Sequence, residues 1–289
     1  VNGSLTEALY INGLTTTLKK DEVALDSMLG ILPLVIANKS KKFNVRKFLL
    51  NPLYIKTVAP IEFRRFVLGL VGDAVKPSAI FESLNDSVKE RLHSYDATNT
   101  YDAEIMSNNI KAKKKSAEKI ANDDKIIYAW LEENHPELVN DKAKVLSQLS
   151  KANDDLMKVD SDSVMLDSYV RCLDLAYDSF FKGYLGNIRL VLLEKGAGDD
   201  VYKSVCYPLI PNTTTPFECG STSEQIRLGC ALNVAIAKNC EKVSILPLLF
   251  DECETLDYRS LGLLSARCDT QLISACVVAD SDIIVARGF

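Results

Sequence analysis

The feature that most constrains the fold is a helical repeat of apolar side chains between Ser163 and Tyr184. These side chains recur at the i, i+3, i+4 and i+7 positions that share one face of an α-helix. They are Leu166, Tyr169, Val170, Leu173, Tyr177, Phe180, Phe181 and Tyr184. A face this wide and aromatic must be covered by other elements. We therefore predict a helix here that packs against the rest of the chain.

Helical patterns also dominate the sequence before this segment. Acidic residues at position 21 onwards open a helix that Pro33 should end or kink, and Pro60 opens another that spans Ile61–Val71. A further helix is predicted over Ser78–Tyr95, and a long amphipathic one over Asp102–Glu133. The apolar stripe of the long helix contains Met106, Ile110, Ala117, Ile120, Ile127 and Leu131.

After Gly186 the pattern changes to β-rich runs that alternate with helical ones. Val201–Ile210 and Val243–Phe250 are typical of strands, while Ser221-Thr-Ser-Glu224 is a capping-box pattern that predicts the start of a helix. We expect a mixed α and β fold: a mostly helical, locally basic region over residues 1–185, and a smaller, acidic and cysteine-rich α/β region over residues 186–289. The second region has a βαβαβ cadence.

Composition places the chain among ordinary globular proteins, since 47% of its 289 residues are hydrophobic and 25% are charged. No run approaches the roughly 18 apolar residues that span a bilayer, so we expect no membrane partner. All eight cysteines follow residue 171, without the close spacing of a metal site. We expect reduced thiols in a cytoplasmic compartment, including that of an infected host if the protein belongs to a viral particle.

For function, the most distinctive feature is the positive charge between residues 39 and 66, where eight cations accompany a single acid. The cations are Lys39, Lys41, Lys42, Arg46, Lys47, Lys56, Arg64 and Arg65, and the interleaved aromatic residues are Phe43, Phe48, Tyr54, Phe63 and Phe66. Dense positive charge binds phosphate backbones through counterion release, and aromatic faces stack on unpaired bases. The combination favours single-stranded nucleic acid, and single-stranded RNA in particular, as a partner.

A second basic run lies on the polar face of the predicted helix Asp102–Glu133. Its nucleic-acid-binding candidates are Lys111, Lys115 and Lys119, with Lys113 and Lys114 between them. Both runs also have a plainer explanation, in which the aromatic residues form core and the cations hydrate the outer faces of helices. The sequence leaves that alternative open, together with the question of whether the two runs share one surface.

These observations favour a non-enzymatic protein that binds nucleic acid and assembles with itself, as a nucleoprotein or coat protein does. Its broad apolar stripes suit a homo-oligomer, and the chain has no nucleotide-binding glycine motif and no recognisable catalytic group. We expect no cofactor, no metal and no catalytic residue.

An enzyme or ligand-binding module is the alternative. Asp251-Glu-Cys-Glu254 and Asp280-Ser-Asp282 follow predicted strands, where α/β sheets place metal or nucleotide sites. The order of elements over Val201–Ala286 resembles the second half of a macro domain, a family that binds ADP-ribose. The glycine-rich phosphate loop of that family is replaced here by Phe250-Asp-Glu-Cys-Glu-Thr.

Overall fold

The computed structural model describes residues 30–196 and 201–238 continuously, with the short segments 10–11, 14–15, 26–27, 248–250, 272–274 and 287–288. The described helices are α1 (Leu32–Ala37), α2 (Val45–Leu50), α3 (Pro60–Val71), α4 (Pro77–Glu82), α5 (Asp86–His93), α6 (Ala103–Asn134), α7 (Val139–Leu185) and α8 (Thr222–Ala237). Short 3-10 helices span Tyr54–Thr57 and Phe217–Cys219. The protein is thus mostly helical, as predicted.

The described strands form three small sheets. The strands are β1 (Tyr10–Ile11), β2 (Leu14–Thr15), β3 (Leu190–Lys195), β4 (Tyr202–Pro208), β5 (Leu248–Phe250), β6 (Leu272–Ser274) and β7 (Arg287–Gly288). β1 pairs with β2, β3 with β4, and β6 lies between β5 and β7. β5 and β6 are parallel, whereas β6 and β7 are antiparallel. The βαβαβ cadence is not shown, because residues 251–271 lie outside the described residues.

The predicted helices differ from the observed ones in four places. Pro33 does not end or kink a helix but lies in the first turn of α1. Ser78–Tyr95 is not one helix: α4 ends at Glu82, and the side chain of Asn85 accepts a hydrogen bond from the Ser87 amide to begin α5. The predicted helix Ser163–Tyr184 is only the last part of the much longer α7. In α6, Ile120 and Ile127 of the predicted apolar stripe are exposed, while the other four members are buried.

The chain forms two compact units that alternate along the sequence. Unit 1 comprises residues 1–74, 178–191 and 205–289, and unit 2 comprises residues 75–177 and 192–204. The sequence predicts a single boundary between residues 185 and 186, and it contains no pattern that would reveal the alternation. The chain passes from one unit to the other within α7, within β3 and within β4. Each unit is therefore built from separate segments of the sequence.

In unit 2, α6 and α7 pair as a helical hairpin. Buried and half-buried residues follow one another at alternating steps of three and four along both helices, which is the heptad spacing of a coiled-coil seam. They include Ala117, Ala121, Asp124, Tyr128 and Leu131 on α6, and Val145, Leu149, Ala152, Leu156 and Val159 on α7. The Lys114 ammonium lies 2.8 Å from the Asp160 carboxylate across the pair. With only residues 135–138 between them, the helices run antiparallel.

The base of this hairpin is the core of unit 2. Met106 and Ile110 of α6 pack with Leu166 and Tyr169 of α7 in one buried cluster, to which α4 contributes Phe81. The Tyr169 hydroxyl donates a hydrogen bond to the Tyr101 carbonyl at 2.9 Å. The apolar face predicted from residue 166 onwards is therefore covered over Leu166–Leu173, as its width required.

Close helix packing in unit 1 depends on two glycines. A Cβ atom at Gly69 of α3 would lie 1.9 Å from the carbonyl oxygen of Ala37, at the end of α1. A Cβ atom at Gly229 of α8 would lie 2.1 Å from the carbonyl oxygen of Pro52. The backbone itself occupies the space that a side chain would need. α8 begins where the sequence predicts, with the reciprocal capping box of Ser221 and Glu224.

We expect Gly69→Ala to destabilise the protein, although alanine is the better helix former. The intrinsic gain of about 1 kcal/mol is outweighed by an overpacking cost of about 1–3 kcal/mol or more, because the obstructing atom belongs to the backbone. Gly183→Ala is the matched control: nothing lies within 4 Å of its added Cβ, so it should stabilise α7. Urea unfolding of both variants measures the difference, and equal effects would contradict the packing argument.

Candidate nucleic-acid interface

The four phenylalanines of the basic stretch form a core cluster in unit 1. Phe43, Phe48, Phe63 and Phe66 are all buried, and the rings of Phe43 and Phe66 stack with their centroids 4.4 Å apart. Tyr54 is half-buried, and its ring meets Phe43 edge-on at 5.5 Å. Stacking of bases on the phenylalanine rings, which the sequence suggested, is therefore wrong: the rings are already occupied by one another.

The loop between α1 and α2, residues 38–44, is held by an internal set of hydrogen bonds. The Asn38 side-chain amide donates to the Phe43 carbonyl at 2.9 Å, and its carbonyl oxygen accepts from the Ser40 amide at 3.0 Å. The Ser40 hydroxyl oxygen accepts from the amides of Lys42 and Phe43. It also donates to the buried carboxylate of Glu62 on α3. We call residues 38–44 the lysine loop.

The lysine loop presents its cations to solvent. Lys39, Lys41 and Lys42 are exposed, and so is Lys47 in the first turn of α2. The amide of Lys47 donates to the side chain of Asn44, which caps α2 and connects this lysine to the end of the loop. Within the described part of the chain, none of these four ammonium groups forms an ion pair. Four positive charges thus lie within nine consecutive residues on a well-anchored backbone.

The remaining four cations of the stretch serve the fold of unit 1. Arg46 binds the buried carboxylate of Asp26 through two nitrogens, at 2.6 and 3.0 Å. The Arg65 guanidinium donates to Glu62 at 2.8 Å. Since Asp26 and Glu62 are buried, these arginines compensate charges that would otherwise be costly. Their guanidinium groups are committed within the protein, so they are weaker candidates for contact with a ligand.

Lys56 and Arg64 also point towards other parts of unit 1. The Lys56 ammonium donates to the side-chain carbonyl of Gln225 on α8 at 2.9 Å. Arg64 is half-buried, and its Nε lies out of contact with solvent near Cys206. Burial raises the pKa of the Cys206 thiol, and the positive charge of Arg64 opposes that increase in part. Lys56, in the 3-10 helix before α3, is therefore hydrogen-bonded to α8, and Arg64 of α3 lies near β4.

The second basic run lies on α6, in unit 2. Lys111, Lys115 and Lys119 are exposed. Between them, Lys114 pairs with Asp160, and the Lys113 ammonium donates to the Tyr95 hydroxyl at 3.1 Å while it lies 5.0 Å from the centre of that ring. Lys113 and Lys114 therefore help to attach α6 to its neighbours. The two basic runs belong to different units.

The residues of the alternative enzyme hypothesis lie outside the described part of the chain. Neither Asp251-Glu-Cys-Glu254 nor Asp280-Ser-Asp282 is described. Among the residues that are described, no group of three or more histidine, cysteine, aspartate or glutamate side chains could hold a metal ion. Over the same residues, no helix is both long and apolar enough to cross a membrane.

Comparison with known proteins adds no family. No family model matches the chain, and no curated protein matches it. Among solved structures, it is similar to the Smc head domain with an extended coiled coil, bound to the C-terminal domain of ScpA, from Pyrococcus furiosus. That alignment has 13% identity and a TM-score of 0.33, and it covers 96% of this chain and 68% of the other. At this score the likeness carries no argument about fold or function.

Sequence reasoning identified the lysines but missed the residues that position them. Asn38, Ser40 and Asn44 provide most of the loop's side-chain hydrogen bonds, and Glu62 anchors it from α3. Asparagine and serine between two helical patterns are a known signal for a hydrogen-bonded turn. That signal predicts a turn, but the partner on α3 lies 22 residues away and cannot be read from local sequence.

We expect Arg46→Met to destabilise the protein and Lys47→Met to leave its stability almost unchanged. Loss of Arg46 leaves the buried Asp26 carboxylate without its cation, at a cost of about 3 kcal/mol. Lys47 is exposed, so its loss should change the free energy of unfolding by less than about 0.5 kcal/mol. Chemical denaturation of these neighbouring variants tests the assignment. A similar loss of stability in both would contradict it.

Ser40→Ala should loosen the lysine loop without unfolding unit 1. The substitution removes the acceptor of the Lys42 and Phe43 amides and leaves Glu62 without one of its donors, at a cost of about 1–3 kcal/mol. Amide hydrogen exchange should become faster at positions 42 and 43. The Lys47 amide, whose acceptor is Asn44, is the internal control. Unchanged exchange at 42 and 43 would show that Ser40 does not hold the loop.

Proposed function

We propose that this chain is a non-enzymatic protein that binds single-stranded nucleic acid, RNA in particular, and assembles with itself in the manner of a nucleoprotein or coat protein. The observation that carries the proposal is the lysine loop together with Lys47. Four exposed lysines sit on a backbone that buried hydrogen bonds hold in place. Phosphate groups along a strand are the partner that such a cluster of point charges suits best.

The buried phenylalanines narrow the kind of binding that we propose. Since the rings of Phe43 and Phe66 are buried in the core, they offer no face to a base. Contacts then fall on phosphates, which carry no sequence information. We therefore propose binding that depends on charge and varies little with base composition. Lys111, Lys115 and Lys119 of α6 are proposed as further phosphate contacts, supported by their exposure along one helix.

Two features of the described residues support the remaining parts of the proposal. The described cysteines are free thiols, which suits a reducing, cytoplasmic setting or a viral particle assembled there. We also propose the βαβαβ cadence predicted for the C-terminal region, which is supported by the parallel pairing of β5 with β6, since parallel strands are joined by a crossover connection.

Reversal of the four exposed lysines should remove most of the binding. We expect the variant Lys39→Glu, Lys41→Glu, Lys42→Glu, Lys47→Glu to lose affinity for a fluorescent single-stranded RNA of about 20 nucleotides, measured by anisotropy. These four lysines, at roughly −0.7 for each phosphate contact, should contribute about −3 to the slope of log affinity against log salt in the wild-type protein. The variant should lose this contribution and keep only the smaller one of Lys111, Lys115 and Lys119.

The matched control reverses four exposed lysines elsewhere: Lys76, Lys125, Lys144 and Lys151. It carries the same change in net charge, so equal losses in both variants would show a general effect of charge and no defined interface. Reversal of Arg46 and Arg65 is unsuitable as a test, because both arginines pair with buried acids and their loss would perturb the fold. Binding that is insensitive to salt would overturn the proposal.

A further inference from the structure

The exposed large apolar residues of α7 lie along a single line. They are Val139, Leu146, Met157, Val164 and Leu175, and 45% to 71% of each remains exposed. The steps between them are 7, 11, 7 and 11 residues, and every 18 residues make five turns of a regular α-helix. At about 100° per residue, all five lie within about 20° of one line. We call this line the outer stripe.

Small uncharged residues fill the gaps in the outer stripe. Ala143, Ser150, Asn153 and Ser168 lie within about 40° of the same line and are exposed, and Arg171 is the one charged residue in this band between Val139 and Leu175. The outward face of a helix in a two-helix hairpin usually carries charged residues. α7 therefore has two apolar faces. α6 covers the inner one, whereas the outer one is left exposed in the described structure.

The outer stripe is symmetric about Met157. Val139 and Leu175 lie 18 residues on either side of it, Leu146 and Ser168 lie 11 residues away, and Ser150 and Val164 lie 7 residues away. An antiparallel pair of identical helices related by a two-fold axis at Met157 would bring these positions together. Leu146 would face Ser168 of the second copy, and Val164 would face its Ser150. Each larger side chain thus meets a smaller one, which is how facing helices interdigitate.

We propose that the outer stripe is the surface by which two copies of this chain pair, with their α7 helices antiparallel and Met157 at the two-fold axis. This inference rests on the self-assembly half of the proposed function and names the surface responsible.

The area that the paired helices would bury supports contact along the whole outer stripe. Thirty-six residues span about 54 Å, and a helix about 10 Å wide then covers about 540 Å² on each copy. The total of about 1,000 Å² reaches the size of a specific interface only if the whole stripe is used.

The charges beside the stripe predict how salt acts on the pair. In this arrangement Asp160 faces Asn153 of the second copy, and Lys142 approaches Arg171 of the second copy at the rim. The chain also has a net charge of −5, so two copies repel each other at long range. Added salt screens both repulsions. Pairing should therefore be unaffected or strengthened by salt, whereas the proposed RNA binding weakens.

The first test is sedimentation equilibrium of the full chain between about 1 and 100 µM, a range that covers micromolar dissociation constants. We expect the wild-type protein to form a dimer, and Met157→Asp to weaken it by at least about tenfold, because two carboxylates would be buried together at the axis. Ser147→Asp is the matched control: it adds the same charge at an exposed position about 80° from the stripe, and the dimer should persist.

The second test is oxidative cross-linking. Met157→Cys should form a covalent dimer, because the introduced thiols meet at the axis. Lys151→Cys should not, since its copies would lie about 18 Å apart along the helices. Exposed Cys172 is no source of this product, because its copies would be about 45 Å apart. Far-UV circular dichroism of each variant checks that the helices are retained.

The outcomes separate this inference from the proposed function. A wild-type protein that stays monomeric throughout the concentration range would overturn both the inference and the self-assembly proposal. A wild-type oligomer that Met157→Asp leaves unchanged would overturn the inference alone. RNA binding, measured on the same samples, should survive Met157→Asp, so a loss of pairing with retained binding supports the inference. Equal cross-linking of the two cysteine variants would count against it.

Discussion

The stacking of Phe43 against Phe66, with Phe48 and Phe63 around them, is the interaction on which the rest of the candidate site depends. Phe43 is the last but one residue of the lysine loop, and its buried ring packs on Phe63 and Phe66 of α3, so the loop lies against α3. The loop backbone then needs partners, which Asn38 and Ser40 supply. With the backbone satisfied and the ring inside, the lysine side chains can only point outwards. Burial of aromatic surface thus produces the exposed cluster of charge.

The same packing divides the cations of residues 39–66 into two groups. Arg46 donates to the buried carboxylate of Asp26 through two nitrogens, and Arg65 donates to the buried carboxylate of Glu62 through one. Lysines in the loop remain in water, where their hydration is retained. Residues 39–66 carry an excess of seven positive charges in the sequence, but fewer of these charges are available to a ligand at the surface, because Arg46 and Arg65 pair with acids of the protein. What remains is concentrated in the loop and Lys47, which is why these residues carry the functional proposal.

Local signals predicted a large part of the fold. The capping box of Ser221 and Glu224 joins residues three positions apart, and α8 begins where this pattern places it. Long-range features could not be read in the same way. The contact of Gly69 with Ala37 and the pairing of Arg46 with Asp26 join separate elements. The lysines of the site were visible in the sequence, but the Ser40–Glu62 bond that positions them was not.

The length of α7 escaped prediction because the helix has two apolar faces with different periods. Its inner seam repeats every seven residues, whereas the outer stripe repeats every 18. A seven-residue repeat drifts by about 20° per heptad relative to a straight helix, or about 100° over the five heptads of this hairpin. The stripe therefore lies beside the seam at Leu146 and almost opposite to it at Leu175. A helix seated along the stripe would approach α6 only near the tip of the hairpin, which couples the proposed pairing to an intact hairpin.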